Sequence, residues 1–89
     1  MKFEWDEAKR ATNLDKHGLD FELAHFVFAG DTFTFEDNRM AYGEQRFVTL
    51  GLLDDTVVVL VHTENDDEIR VISLRKAVKN EQKLYFTNI

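Results

Sequence analysis

Hydrophobic and polar positions follow a helical period in the first third of the chain. Ala8, Ala11 and Leu14 are three residues apart, and they predict one buried stripe on a first helix from Asp6 to His17. A similar spacing of apolar residues predicts a second, shorter helix that ends near residue 30. The polar residues of the first helix are expected to stay in water, namely Lys9, Arg10, Asn13, Asp15 and Lys16.

Beyond residue 31 the apolar residues alternate with polar ones, which is the period of β-strands. Four strands are predicted, over residues 32–37, 45–53, 56–64 and 68–74. Turn residues at 54–55 and 65–67 separate the last three strands, which should therefore form an antiparallel meander. A short strand over residues 2–5 precedes the helices, and a helix follows the last strand from Val78.

This order of elements predicts an α+β fold in a single domain over residues 1–89. The helices are expected on one face of the sheet, and the other face is expected to stay open. An open sheet face can carry a binding site on rigid strands.

Composition narrows the classes of function. The chain has no cysteine, which removes thiolate nucleophiles and cysteine metal sites and fits a reducing cytoplasm. Its N-terminus is charged and its longest apolar run, over residues 57–61, is too short to span a bilayer, so we expect a cytoplasmic protein with no membrane partner. The net charge of -6 means that any site for RNA has to be local.

The last predicted strand carries two arginines among apolar residues. Arg70 and Arg75 lie within the segment E-I-R-V-I-S-L-R-K-A, residues 68–77. Two guanidinium groups on a rigid strand can clamp a phosphate bidentately. The alternative is that both arginines pair with Glu64 and Glu68 at the solvent face of the sheet.

The preceding strand ends in a histidine and a carboxylate. Strand alternation places His62 and Glu64 on one face, where His62 can take and give a proton near neutral pH and Glu64 can orient it or act as a base. The alternatives are a half-buried histidine and a cross-strand ion pair. A two-residue turn sets His62 opposite Val71, whereas a three-residue turn sets it opposite Arg70.

Other side chains qualify for the same chemistry. Lys16 and His17 end the first helix, although stabilisation of the helix dipole would also explain them. Arg46 follows a loop that carries Tyr42 and supplies either a third phosphate contact or a surface ion pair. Tyr85 either stacks on a base or fills the core.

The histidine pattern disfavours a metal site. The three histidines stand far apart in the sequence, at positions 17, 25 and 62, and no two of them have the spacing of metal ligands. His25 lies within an apolar helix and is interpreted as a packing residue. We therefore expect no metal and no cofactor.

With these residues in view, the chain resembles the BrnT family of toxins from bacterial type II toxin-antitoxin pairs. The resemblance runs nearly end to end through several ordered motifs. They are F-E-W-D-E-A-K at residues 3–9, N-L-D-K-H-G at 13–18, F-E-L-A at 21–24, G-E-Q-R-F at 43–47, I-R-V-I-S-L-R-K-A at 69–77, and Glu81 with Tyr85.

The resemblance implies a fold similar to the RelE-like ribonucleases and a metal-independent endoribonuclease activity that halts translation. It also implies RNA as substrate and a ribbon-helix-helix antitoxin similar to BrnA as partner, with DNA contacted only through that antitoxin. Carried over by motif, the site residues are Lys16, His17, Arg46, Arg70, Arg75 and Tyr85.

A second class of function stays open because of the acidic net charge. In this alternative the chain is a non-catalytic binding subunit whose arginines contact acidic side chains of a DNA-binding repressor. Both alternatives predict a partner protein, and only the first predicts RNA cleavage.

Overall fold

The order of strands and helices is the predicted one in a computed structural model that describes residues 1–39, 41 and 43–89. The elements are β1 (Lys2–Trp5), α1 (Glu7–His17), a 3-10 turn (Phe21–Leu23), α2 (Ala24–Ala29), β2 (Phe33–Glu36), β3 (Phe47–Leu53), β4 (Thr56–Asn65), β5 (Glu68–Lys76) and α3 (Lys79–Asn88). The α+β class is confirmed.

The described strands form one sheet in the order β1-β5-β4-β3-β2. β2 to β5 are joined as an antiparallel meander, as predicted. β1 adds to the edge of β5 in a parallel pairing, with Phe3 opposite Ile69 and Trp5 opposite Val71. The connection between these two parallel neighbours contains both N-terminal helices and the other three strands, which is far longer than the minimum for a parallel pair.

The turn between β4 and β5 fixes which residues share a face. Asn65 pairs with Glu68, so the turn is the two-residue one, and His62 lies opposite Val71. The register shifts by one residue between Val61 and His62, after which Val61 pairs with Ser73 and Val59 with Arg75. Arg75 therefore shares the face of Val59 and Val61, and His62 points to the opposite face.

Two apolar clusters lie on the two sides of the sheet. One packs α2 and the 3-10 turn on alternate residues of β4 and β5, around Phe21, Val27 and Leu60. The other packs Tyr85 of α3 on the remaining residues of β3 and β4, including Leu50 and Val59. The expectation of helices on one face only was therefore wrong, because α3 returns across the face that was expected to be open.

A glycine permits the close contact between α2 and β3. An added Cβ at Gly51 would lie 2.6 Å from Cγ1 of Val27, which is nearer than any side chain tolerates. Because Val27 is wholly buried, it has little room to move away. Gly51 therefore fixes the distance between the helix and the sheet.

The ends of α1 follow the sequence signals. The Asp6 carboxylate accepts hydrogen bonds from the backbone N–H groups of Ala8 and Lys9, as an N-cap does. Gly18 adopts the left-handed conformation, with φ of 71°, and its N–H donates to the carbonyl of Leu14.

The side of α1 that faces the protein is not the predicted one. Ala8, Ala11 and Leu14 are exposed, and Asn13, which was expected in water, is only 6% exposed. Its side-chain amide donates to the carbonyl of Leu74 at 2.8 Å and accepts from the N–H of Leu74 at 3.1 Å. Leu74 lies three residues beyond Val71, where the pairing of β1 with β5 ends, so the amide of Asn13 bonds an edge position of β5 that β1 does not reach.

The interpretation of His25 was also wrong. Its side chain is exposed, and its ring lies 4.0 Å from the ring of Phe26, centroid to centroid. The α2 positions that face the sheet are Ala24 and Val27, so His25 follows directly after a buried residue and points outward.

Among the described residues, no helix is long and apolar enough to cross a membrane.

Candidate active site

A small cleft lies on the α3 side of the sheet, over the central strands β3 and β4. Its floor is apolar and consists of Val48, Val59 and Val61. Its walls carry charged side chains and come from Arg75 on β5, Glu81 on α3 and residues 35–39, which are the last two residues of β2 and the three that follow them. The cleft encloses about 200 Å³, which is room for a small polar group rather than for a whole nucleotide.

Arg75 forms a bidentate ion pair within this cleft. Its two terminal nitrogens donate to the two carboxylate oxygens of Glu81 at 2.8 and 2.9 Å. The same carboxylate accepts the N–H of Val78 at the start of α3, so one side chain joins the strand to the helix. Because both partners are only about one-quarter to one-third exposed, this pair is better shielded from water than an ordinary surface pair.

A second arginine on the cleft wall is held in the same way. Asp37 is almost completely buried and accepts from Nε and Nη2 of Arg39 at 2.8 and 2.9 Å. Asp37 also accepts the backbone N–H of Arg39, and its own N–H donates to the carbonyl of Arg46. The guanidinium of Arg39 projects outward, with 68% of its side chain exposed.

The charges of the two pairs influence one another. The hydrogen bonds from Arg75 lower the pKa of Glu81, and the positive charge of Arg39 adds a smaller effect in the same direction. The hydrogen bond to Glu81 raises the pKa of Arg75, whereas Arg39 slightly lowers it. The two guanidinium groups are thus near enough to repel, and they share the cleft wall with the carboxylates of Glu36, Asp37 and Glu81 above an apolar floor.

Arg70 lies on the same face of β5 as Arg75 but nearer the turn. It is exposed and stands opposite Thr63 on β4 and Glu4 on β1. Glu68 is close by, and a hydrogen bond shared with Glu4 raises the pKa of its carboxyl group, which the charge of Arg70 partly offsets. Arg70 thus has two carboxylates close to it, those of Glu4 and Glu68, and all three side chains lie outside the cleft.

Lys16 and His17 line a shallow groove between α1 and β5. The groove encloses about 400 Å³ and also contains Lys9 and Ser73. Ser73 lies directly opposite Val61, which belongs to the floor of the cleft. The groove and the cleft therefore adjoin across the pairing of β4 with β5.

Arg46 immediately precedes β3 and is half-buried. Its backbone carbonyl accepts the N–H of Asp37 at 2.8 Å, which extends the pairing of β2 and β3 by one step toward the cleft wall. Tyr42, which the sequence places in the preceding loop, lies outside the residues that the structure describes.

His62 and Glu64 lie on the α2 side of the sheet, on the opposite face from the cleft. The imidazole of His62 is wholly buried between the rings of Phe28 and Phe47, and its Nε2 atom lies 2.7 Å from the hydroxyl of Thr49. Glu64 is exposed, with an oxygen 3.7 Å from Nδ1 of His62. Burial lowers the pKa of His62 to about 4.

This burial predicts a pH-dependent stability. His62 stays neutral in the folded chain down to about pH 4, whereas the unfolded chain takes up a proton near pH 6.5, so stability is complete above pH 6.5 and falls as the pH falls. We expect a loss of about 2 kcal/mol in the free energy of unfolding between about pH 7 and about pH 5. Urea unfolding at both pH values measures it.

The control is His62→Gln, which has no group that titrates in this range. Its free energy of unfolding should change by about 2 kcal/mol less than that of the wild type between the two pH values. Equal pH dependence of the two proteins would mean that His62 takes up its proton without unfolding.

Tyr85 lies in the core, which is one of the two roles that the sequence allowed. Its ring is wholly buried, and its hydroxyl donates to the carbonyl of Asp31 at 2.9 Å. Burial raises the pKa of the hydroxyl. Tyr85 thus holds α3 against the sheet and offers no ring face for stacking.

Of the predicted site residues, Arg75 alone lines the cleft; Lys16 and His17 line the adjoining groove. Asp37, Arg39 and Glu81 were not among the predicted site residues. The spacing D-x-R after β2 and the glutamate at the third position of α3 are visible in the sequence, but neither shows that these residues meet Arg75. Among the described residues, no group of three histidine, aspartate or glutamate side chains is placed to hold a metal ion.

Comparison with known proteins adds one finding. A protein-family model described as "Ribonuclease toxin, BrnT, of type II toxin-antitoxin system" matches residues 5–81 of the 89-residue chain. This range contains α1, all of β2 to β5 and the first turn of α3, and therefore both charged pairs of the cleft. No curated protein matches the chain.

Proposed function

The chain belongs to the BrnT family of ribonuclease toxins of type II toxin-antitoxin systems, and from that premise we propose that it cuts RNA at the cleft of Arg75 without a metal ion. The observation that carries this proposal is the position of Arg75, held bidentately beside an apolar floor and only partly exposed to water. A cation in such a place interacts with a phosphate more strongly than a fully hydrated one does.

The proposed reaction uses the 2′-hydroxyl of RNA as the nucleophile. Its oxygen bonds to the adjacent phosphorus, the bond from phosphorus to the 5′-oxygen breaks, and the proton lost by the hydroxyl is balanced by one gained by the leaving oxygen. The products are a 2′,3′-cyclic phosphate and a 5′-hydroxyl. Arg75 stabilises the negative charge that builds on the phosphoryl oxygens in the transition state. Stabilisation of this kind is usually the largest single contribution to the rate enhancement of an enzyme.

Among the three candidates for proton transfer, His17 has the best support. It lines the groove that adjoins the cleft, and it is half-exposed, so a substrate can reach it. His62 and Glu64 lie on the other side of the sheet, and the lowered pKa of His62 makes it a poor base near neutral pH. We propose that Lys16 binds an RNA phosphate beside His17, and that Arg70 and Arg46 bind phosphates further along the RNA chain.

In the cell, the activity of the toxin has a target process and a protein partner. We propose that RNA cleavage in the cytoplasm stops translation, and that a ribbon-helix-helix antitoxin similar to BrnA neutralises the toxin. The exposed apolar side chains of α3, among them Leu84 and Phe86, offer surface that such a partner can cover. Any contact with DNA would then be made by the antitoxin.

Cell-free translation of one defined messenger tests the proposal. We expect the wild-type protein to stop protein synthesis and to shorten the messenger, and we expect Arg75→Gln to do neither. Loss of synthesis with the messenger, the transfer RNA and the ribosomal RNA all intact would contradict ribonuclease action. It would favour the alternative of a non-catalytic binding subunit, for which the pairing of Arg75 with a carboxylate is a precedent within the chain.

A further inference from the structure

Arg39 carries the most exposed guanidinium of the cleft wall, yet the assignment above gives it no role. Its side chain is 68% exposed, while the carboxylate that holds it, Asp37, is 1% exposed. Burial of a carboxylate costs free energy unless its oxygens are well bonded, and here both accept from the guanidinium of Arg39. This arrangement uses a buried charge to fix the direction of one surface arginine.

The pair of Arg39 and Asp37 repeats the pair of Arg75 and Glu81 on the opposite wall. In each pair both carboxylate oxygens are bonded to one guanidinium, at distances between 2.8 and 2.9 Å. Both pairs line the same cleft above Val48, Val59 and Val61. The positive charge of Arg39 influences the pKa values of both Arg75 and Glu81, so the two walls are close.

Two fixed guanidinium groups on opposite walls are suited to a chain of phosphates rather than to one isolated anion. A guanidinium carries its positive charge on a plane with five N–H donors, so a group whose direction is fixed by a carboxylate can still attract a second oxyanion. Fixing its direction beforehand also lowers the entropy lost on binding.

We propose that Arg39 binds an RNA phosphate next to the one at Arg75, and that Asp37 is its positioning residue. This inference rests on the proposed function, since it concerns the same cleft and the same polymer. It adds a second phosphate contact and a role for the buried carboxylate.

Binding of a 2′-O-methyl RNA oligonucleotide tests the inference separately from cleavage. Such an oligonucleotide carries the phosphates of RNA but lacks the nucleophilic hydroxyl, so binding is measured without reaction. Fluorescence anisotropy at a series of salt concentrations gives the affinity and its dependence on salt. Arg39→Gln is compared with Lys83→Gln, a matched loss of one positive charge at an exposed position of α3 outside the cleft.

For Arg39→Gln we expect affinity to fall about tenfold at low salt. The slope of log affinity against log salt should become shallower by about 0.7, the value for one phosphate contact on a single strand. Lys83→Gln should change neither. An unchanged slope and affinity for Arg39→Gln, or no binding by the wild-type protein, would overturn the inference.

Asp37→Asn distinguishes positioning from bulk charge. The substitution removes one negative charge, so charge alone predicts tighter binding of RNA. Positioning predicts weaker binding, because Arg39 loses the carboxylate that directs it. Tighter binding by Asp37→Asn would overturn the positioning role, provided that thermal melting shows the variant to be folded.

Arg39→Lys keeps the positive charge but loses the planar guanidinium group. This variant should keep the slope of log affinity against log salt and lose part of the affinity for the oligonucleotide.

The results for binding and for cleavage can differ. If the wild type binds the oligonucleotide through Arg39 but cuts no RNA, the proposed ribonuclease function is contradicted and the phosphate contact stands. If the wild type cuts RNA and Arg39→Gln binds and cuts equally well, the ribonuclease function stands and the role of Arg39 is wrong.

Discussion

Arg75→Gln is expected to lower the rate of RNA cleavage by about 100-fold to 1000-fold, the range found when one donor to a developing oxyanion is removed. The guanidinium of Arg75 is the better shielded of the two in the cleft, and glutamine keeps a hydrogen-bonding amide but no charge. Single-turnover cleavage of a labelled RNA at saturating protein measures the effect on the chemical step.

The fold should survive this substitution. Arg75 is about one-third exposed, and the substitution removes mainly its shielded ion pair with Glu81, so the free energy of unfolding should fall by about 1 to 3 kcal/mol, which a small domain can lose without unfolding. Lys76→Gln is the matched control, because Lys76 is the next residue on β5, is exposed and does not line the cleft. A cleavage rate of Arg75→Gln equal to that of Lys76→Gln would remove Arg75 from the site.

Asn13→Ala is expected to give the largest loss of stability, about 3 to 5 kcal/mol. The side-chain amide of Asn13 bonds both backbone groups of Leu74 and the carbonyl of Leu19. Leu74 lies in the core, so its backbone groups have no ready access to water once the amide is removed. Urea unfolding followed by far-ultraviolet circular dichroism gives the free energy of unfolding.

Leu14→Ala is the control for this result. Leu14 is next to Asn13 on α1, but it is 42% exposed, and alanine is the better helix former, so the free energy of unfolding should change by about 0.5 kcal/mol or less. A larger loss for Leu14→Ala than for Asn13→Ala would mean that α1 packs with the apolar stripe expected from its sequence.

The sequence predicted most of the fold because local signals were consistent. Strand alternation placed Val57, Val59 and Val61 on one face, and the structure confirms this in the cluster around Tyr85. The bounds of α1, predicted from Asp6 to His17, were likewise decided within a few residues, by the cap at Asp6 and the left-handed Gly18. These predictions needed no knowledge of distant partners.

The errors arose where a distant partner decided the outcome. Which side of α1 faces the protein depends on the edge of β5 at Leu74, which is 61 residues away from Asn13 in the sequence. The backbone groups at this strand edge need hydrogen bonds, and this need outweighs the burial of the two alanines and one leucine of the predicted stripe. The position of α3 on the other face likewise depends on where Tyr85 finds space. Periodicity within a helix contains neither fact.

The candidate site was predicted in part for the same reason. Arg75 stood out because a charge on an apolar strand is unusual. The carboxylates that hold the arginines of the cleft are ordinary surface residues in the sequence, and only the fold brings Asp37 and Glu81 to one place. The catalytic and RNA-binding roles of all the predicted site residues, Arg75 included, stay predictions.

The chemical ends of the RNA products test the central claim most directly. Purified protein is incubated with RNA in EDTA, and the ends of the fragments are identified by mass spectrometry, with Arg75→Gln run in parallel. We predict fragments with 2′,3′-cyclic phosphate and 5′-hydroxyl ends from the wild type and almost none from Arg75→Gln. Fragments with 3′-hydroxyl and 5′-phosphate ends, or cleavage that stops in EDTA, would contradict attack by the 2′-hydroxyl at the cleft of Arg75.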